Sequence, residues 1–131
     1  MSRIGRSAYL LLGLYWLLLF AGTHLPRVGI SGPRFFDKVL HFSAYLVLAV
    51  LTCLCVRWRR QLTLPVYLGI VAVLAAYATI DELLQIPIPQ RTGDPWDWLA
   101  DVLGVLAGAA AFAVAAVFWD ACRRPAAGRP T

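Results

Sequence analysis

The residues of this sequence able to do chemistry fall into two short stretches. Asp37, Lys38 and His41 make the first. The second runs from Asp81 to Gly108 and holds five of the seven acidic residues. Glu82, Gln85, Arg91, Asp97 and Asp101 belong to it. Histidine and carboxylates can transfer protons. Lys38, Arg91 and His41 can bind phosphate or carboxylate, with the acids orienting them. The spacing repeats a pattern. Asp37 and His41, Asp81 and Gln85, and Asp97 and Asp101 are each four residues apart, so each pair shares one helix face. Tyr45 extends the first pair by a further turn.

The elements that must position these residues follow from composition. Hydrophobic residues make up 60% of the 131-residue chain and charged ones only 15%. That is the balance of an integral membrane protein. Uncharged runs predict helical spans over about 7–25, 37–56, 63–86 and 98–119, each long enough for a hydrocarbon core of about 30 Å. The expected fold is all-α: a four-helix transmembrane bundle in a single domain, 1–131, with 121–131 as a flexible tail. The first run, behind Arg3 and Arg6, also has the look of a signal peptide. It is long for one and further spans follow, so an uncleaved first helix is expected. The net charge of +5 points to basic flanks of the spans. No basic helix face or aromatic-basic interleaving is present, so nucleic acid is not an expected partner. Cys53, Cys55 and Cys122 lack zinc-ligand spacing. Cys53 and Cys55 read as small apolar fillers.

Four spans put both termini on one side, and basic residues choose which. Arg3, Arg6, Arg57, Arg59, Arg60, Arg123, Arg124 and Arg129 flank one face; Arg27, Arg34, Lys38 and Arg91 flank the other. Both termini are therefore expected in the cytoplasm. On that topology the second helix enters from outside with Asp37 and His41. The third leaves outward with Asp81, Glu82 and Gln85, and the fourth enters with Asp97 and Asp101. His24 ends the first helix nearby. One outward-facing polar cluster results. Gly104 and Gly108 form a G-x-x-x-G that would press the fourth helix onto a neighbour of the same chain.

Purely structural roles compete for every one of these residues. Asp97 could cap the fourth helix or complement its dipole, and Asp37 the second. Lys38 and Arg91 could tie helix ends together. The acids outnumber these two cations, so either one carboxyl is protonated or the site takes up a cation. A divalent metal on His41 and the carboxylates is a variant, but no H-E-x-x-H or other specific metal spacing is present, and neither a metal nor a cofactor is assigned.

Asp37-Lys38-x-x-His41-Phe42, Asp81-Glu82-x-x-Gln85, Arg91, Asp97, Asp101 and Gly104 resemble, in order and spacing, the VanZ-like family of small membrane proteins. The resemblance covers about residues 35 to 108. The family is named for a protein associated with low-level teicoplanin resistance. The resemblance implies a multi-pass protein of the bacterial cytoplasmic membrane, and it implies no settled reaction.

Two functions are expected from the cluster. In the first, Asp37, Lys38, His41, Asp81, Glu82, Gln85, Arg91, Asp97 and Asp101 form an outward site. It would bind an amphiphile, such as a membrane lipid or a lipid-linked envelope precursor. In the second, His41 with Asp37, or Asp81 with Glu82, supplies acid-base catalysis on a lipid-linked substrate. An ion pathway fits poorly, because the inner halves of the spans have almost no polar residues.

Overall fold

The computed structural model describes residues 3–25, 35–89 and 93–123, and among these it is helical with no strand. Its helices are α1 (Arg3–His24), α2 (Phe36–Arg57), α3 (Leu64–Gln85) and α4 (Pro95–Arg123). All four contain stretches long and apolar enough to cross a membrane. Twenty-two residues, the length of α1, α2 and α3, span about 33 Å at the α-helical rise.

Local chemistry explains the ends. Pro65 sits in the first turn of α3, where its missing N–H costs nothing. At α4, Asp94 acts as the N-cap. Its Oδ1 accepts from the Trp96 backbone N–H at 2.9 Å, and its carbonyl accepts from the N–H groups of Asp97 and Trp98. Asp97 is thus a first-turn acid rather than the cap, and Pro95 starts the helix ahead of the expected boundary at 98. At the other end α4 runs to Arg123, so residues 121–123, expected in the flexible tail, are helical. Residues 124–131 lie outside the described ones.

Side-chain pairings give the helix directions. Lys38 meets Asp97, His41 meets Asp101 and Arg57 meets Asp120, so α2 and α4 run parallel. Thr79 meets Trp98 and Glu82 meets Asp94, so α3 runs against α4. Tyr9 and Tyr15 of α1 donate to the Cys55 and Ala44 carbonyls, so α1 runs against α2. Both ends of the described chain therefore lie at one end of the bundle, and the polar stretches lie at the other.

The closest approach is α2 to α4. A Cβ built on Gly104 would run into the Phe42 carbonyl oxygen, and one on Gly108 into the Leu46 carbonyl oxygen. Only glycine permits that backbone contact. The G-x-x-x-G is thus an intramolecular packing surface. Around it the interior is small and mostly apolar: Tyr45, Leu48, Ala49 and Cys53 from α2, Ile70, Leu74 and Ala78 from α3, Val105 and Ala109 from α4, and Leu19 from α1. Cys55 is buried as well. Outside, Leu10, Leu17, Leu68, Val73, Val117 and Phe118 are all more than half exposed. A surface this apolar suits lipid rather than water.

Candidate functional site

The polar end of the bundle is built in three connected parts. The outermost is a clamp on Lys38. Its Nζ donates to Asp94 Oδ2 at 2.8 Å and to Asp97 Oδ1 at 2.9 Å. The ammonium, helped by the Trp96 N–H, holds the Asp94 carboxyl below its ordinary value. This clamp joins the start of α2 to the start of α4. Asp94 also donates its backbone N–H to Glu82 Oε2 at 3.1 Å, which adds the end of α3.

Beneath the clamp lies a buried pair. His41 Nδ1 and Asp101 Oδ1 are 2.9 Å apart. They come from α2 and α4 at the level where Gly104 brings those helices together. A carboxylate on Nδ1 fixes the ring's orientation and leaves Nε2 as the other ring nitrogen. Glu82 closes this layer from α3.

The third part centres on Asp81, which is wholly buried. Its Oδ1 accepts from the Thr23 hydroxyl at 3.2 Å, and its Oδ2 accepts from Gln85 Nε2 at 3.1 Å. The His24 Nδ1 lies 3.7 Å from Oδ1. Tyr45, also wholly buried, lies in the same interior with its ring 6.0 Å from that of Tyr77.

A crevice of about 350 Å³ opens between α1 and α2 on this side. Tyr15, Leu18, Leu19, Gly22, Leu40 and Ala44 form its length, and Thr23, Asp37 and His41 give it polar groups. An apolar trough that ends on an imidazole and a carboxylate can take a molecule with a chain and a head.

The model of the VanZ/LLP1 family matches residues 6–117. The chain belongs to that family. Among curated proteins and solved structures, none matches. With four spans of membrane-crossing length, this VanZ/LLP1 chain is a multi-pass membrane protein. The matched region reaches from α1 into α4 and contains every one of the site residues expected from the sequence.

Eight of those nine residues lie at the polar end of the VanZ/LLP1 bundle. Asp37, Lys38, His41, Asp81, Glu82, Gln85, Asp97 and Asp101 are all there; Arg91 lies outside the described residues. Sequence reasoning missed four participants. The sequence points to Asp97 for the start of α4, though Asp94, an Asp before Pro at a helix start, carries a capping signal. Thr23 carried no signal, because a lone hydroxyl near a helix end reads as neutral. Tyr45 shares a helix face with His41 by spacing, which alone does not assign it to the site. Tyr77, whose ring contacts those of Trp16 and Tyr45, reads in the sequence as an ordinary apolar-face aromatic. The cross-helix partner of His41 is Asp101, whereas intrahelical spacing alone suggests Asp37.

Proposed function

We propose that this protein holds the polar head of an amphiphile, a membrane lipid or a lipid-linked envelope precursor, at the polar end of its bundle. The observation that carries the reading is the α1–α2 crevice. Its apolar length faces the zone of acyl chains, and its polar groups are His41, Asp37 and Thr23. Burial of an acyl chain there contributes about 0.8 kcal/mol per methylene. The head would meet His41 and Thr23 through hydrogen bonds, charge-assisted where His41 is protonated. With the eight-to-four split of flanking basic residues read from the sequence, the positive-inside rule turns this site outward. An outward lipid-headgroup site in the bacterial cytoplasmic membrane also suits a role in glycopeptide resistance.

The test is a photo-crosslink. A photoreactive amino acid replaces Leu40, which is exposed on the crevice, and cells expressing the variant are irradiated. Mass spectrometry of the purified protein should find a lipid or lipid-linked adduct. The same group at Val117, exposed near the far end of α4, should give a different and less selective set. Identical adduct patterns at the two positions would overturn the reading.

The His41–Asp101 pair specifically favours a second reading, a membrane-embedded enzyme. An imidazole oriented by a carboxylate is an arrangement suited to general acid-base work. Turnover of lipid-linked substrates by purified protein, lost in His41→Gln, would support it over simple binding.

A further inference from the structure

One ligand-capable atom from each of His41, Glu82 and Asp101 lies within 4.8 Å of the other two. The residues come from α2, α3 and α4. Each is more than nine-tenths buried: His41 is 6% exposed, Glu82 8% and Asp101 0%. Two of their oxygens, Glu82 Oε1 and Asp101 Oδ2, have no hydrogen-bond partner among the described residues. A buried carboxylate oxygen without a donor is costly, and more so where no water reaches it.

The Tyr45 and Tyr77 hydroxyls, also buried, have no hydrogen-bond partner among the described residues and as neutral groups would balance no charge. The other neighbouring donors are engaged elsewhere. Lys38 is held by Asp94 and Asp97. Thr23 and Gln85 are held by Asp81. Even an imidazolium at His41 would balance only one of the two carboxylates. A second triad, Asp37, His41 and Asp97, also converges. There Asp97 already carries the Lys38 ammonium, so its charge is met.

We propose that His41, Glu82 and Asp101 bind a divalent transition-metal cation of the Zn²⁺ or Mn²⁺ kind. One imidazole nitrogen and two carboxylate oxygens form a mixed set that suits such ions better than the all-oxygen preference of Mg²⁺ or Ca²⁺. Ligand atoms around a tetrahedral Zn²⁺ stand about 3.4 Å apart, given bonds of about 2.1 Å. His41 also lines the α1–α2 crevice, which supplies a path of entry. The ion replaces the missing donors on both carboxylates and cancels their charge. Its binding is measured with no amphiphile present, so this inference and the amphiphile reading stand or fall separately.

The experiment uses the full chain, purified in detergent and stripped with a chelator. It is dialysed against Zn²⁺ or Mn²⁺, and bound metal is counted by mass spectrometry. Uptake of a single ion per chain is expected. Glu82→Gln keeps the shape and removes a charge; it should weaken binding at least tenfold, about the loss seen when metal-site groups are changed. Asp101→Asn should do the same. Asp120→Asn, exposed at the far end, should leave binding unchanged. Should Glu82→Gln fail to fold, the absorption bands of Co²⁺ in the wild-type protein report nitrogen-oxygen coordination directly. Substoichiometric uptake, or an affinity untouched by Glu82→Gln and Asp101→Asn, would sink the metal site. So would uptake that appears only in Arg91→Gln, because the chain's own guanidinium would then fill the place.

Discussion

Asp81 shows how a single buried carboxylate is made tolerable. Thr23 and Gln85 each donate to a different oxygen. Thr23→Val keeps the shape and removes one donor. It should cost about 0.6–2 kcal/mol, the span measured for hydrogen bonds between membrane helices. Thr23→Ser should recover most of the loss. The readout is thermal unfolding in detergent, and equal losses in the two variants would show that the hydroxyl is not the cause. Asp94 makes a prediction about acid. Lys38 holds its carboxyl below the ordinary value of 3.8. A depressed carboxyl stabilises the fold fully above its unfolded pKa, and that contribution disappears as pH falls through the folded pKa. The wild-type melting temperature should therefore drop below about pH 4 more steeply than that of Asp94→Asn. At neutral pH the variant should be the less stable of the two. Parallel pH profiles would mean the Lys38 clamp adds nothing to stability.

The decisive contact between elements is α2 against α4. Gly104 sets the depth at which His41 meets Asp101, and Gly108 continues the seam inward. Gly104→Ala adds one methyl group, which would collide with the Phe42 carbonyl. Overpacking of this kind costs about 1–3 kcal/mol, and the displaced helices would separate His41 from Asp101. Folded yield and melting temperature should fall. Gly69→Ala is the matched control: it is also mid-helix, but nothing lies within 4 Å of the added group. Its stability should hold or rise slightly, since alanine favours helix over glycine. Loss in both variants alike would assign the effect to glycine chemistry rather than to the seam. The same seam was visible in the sequence as a small-residue pattern. Its partner was not, because a G-x-x-x-G does not say which helix it receives.

At the scale of the whole molecule, both ends of the described chain share one side and the polar cluster occupies the other. The compartment each faces is a matter of flanking charge. Cysteines introduced singly at Phe35, Pro89 and Thr63, with the three native cysteines replaced by alanine, test it in whole cells. An impermeant thiol reagent should label positions 35 and 89, at the polar end, and spare position 63 at the other. The reverse pattern would turn the site inward and remove the envelope-facing reading. Arg57 and Asp120, paired at the end opposite the cluster, offer a check on this frame. Their exchange, as Arg57→Asp with Asp120→Arg, should leave the labelling pattern unchanged.

Span number, span length and the crowding of acids at one end were legible in the chain itself. Those features depend on composition and on short-range periodicity. Hydrocarbon thickness dictates the length of an apolar run, and the four-residue spacing dictates a shared face. Partnerships between helices were not legible. His41 could have faced Asp37, Asp97 or Asp101, and only the Gly104 seam between α2 and α4 selects Asp101. Thr23 lies 58 residues from Asp81, a distance across which no local pattern carries information. The orphaned oxygens of Glu82 and Asp101 are likewise a product of packing, since whether a carboxylate finds a donor depends on how three helices settle against one another.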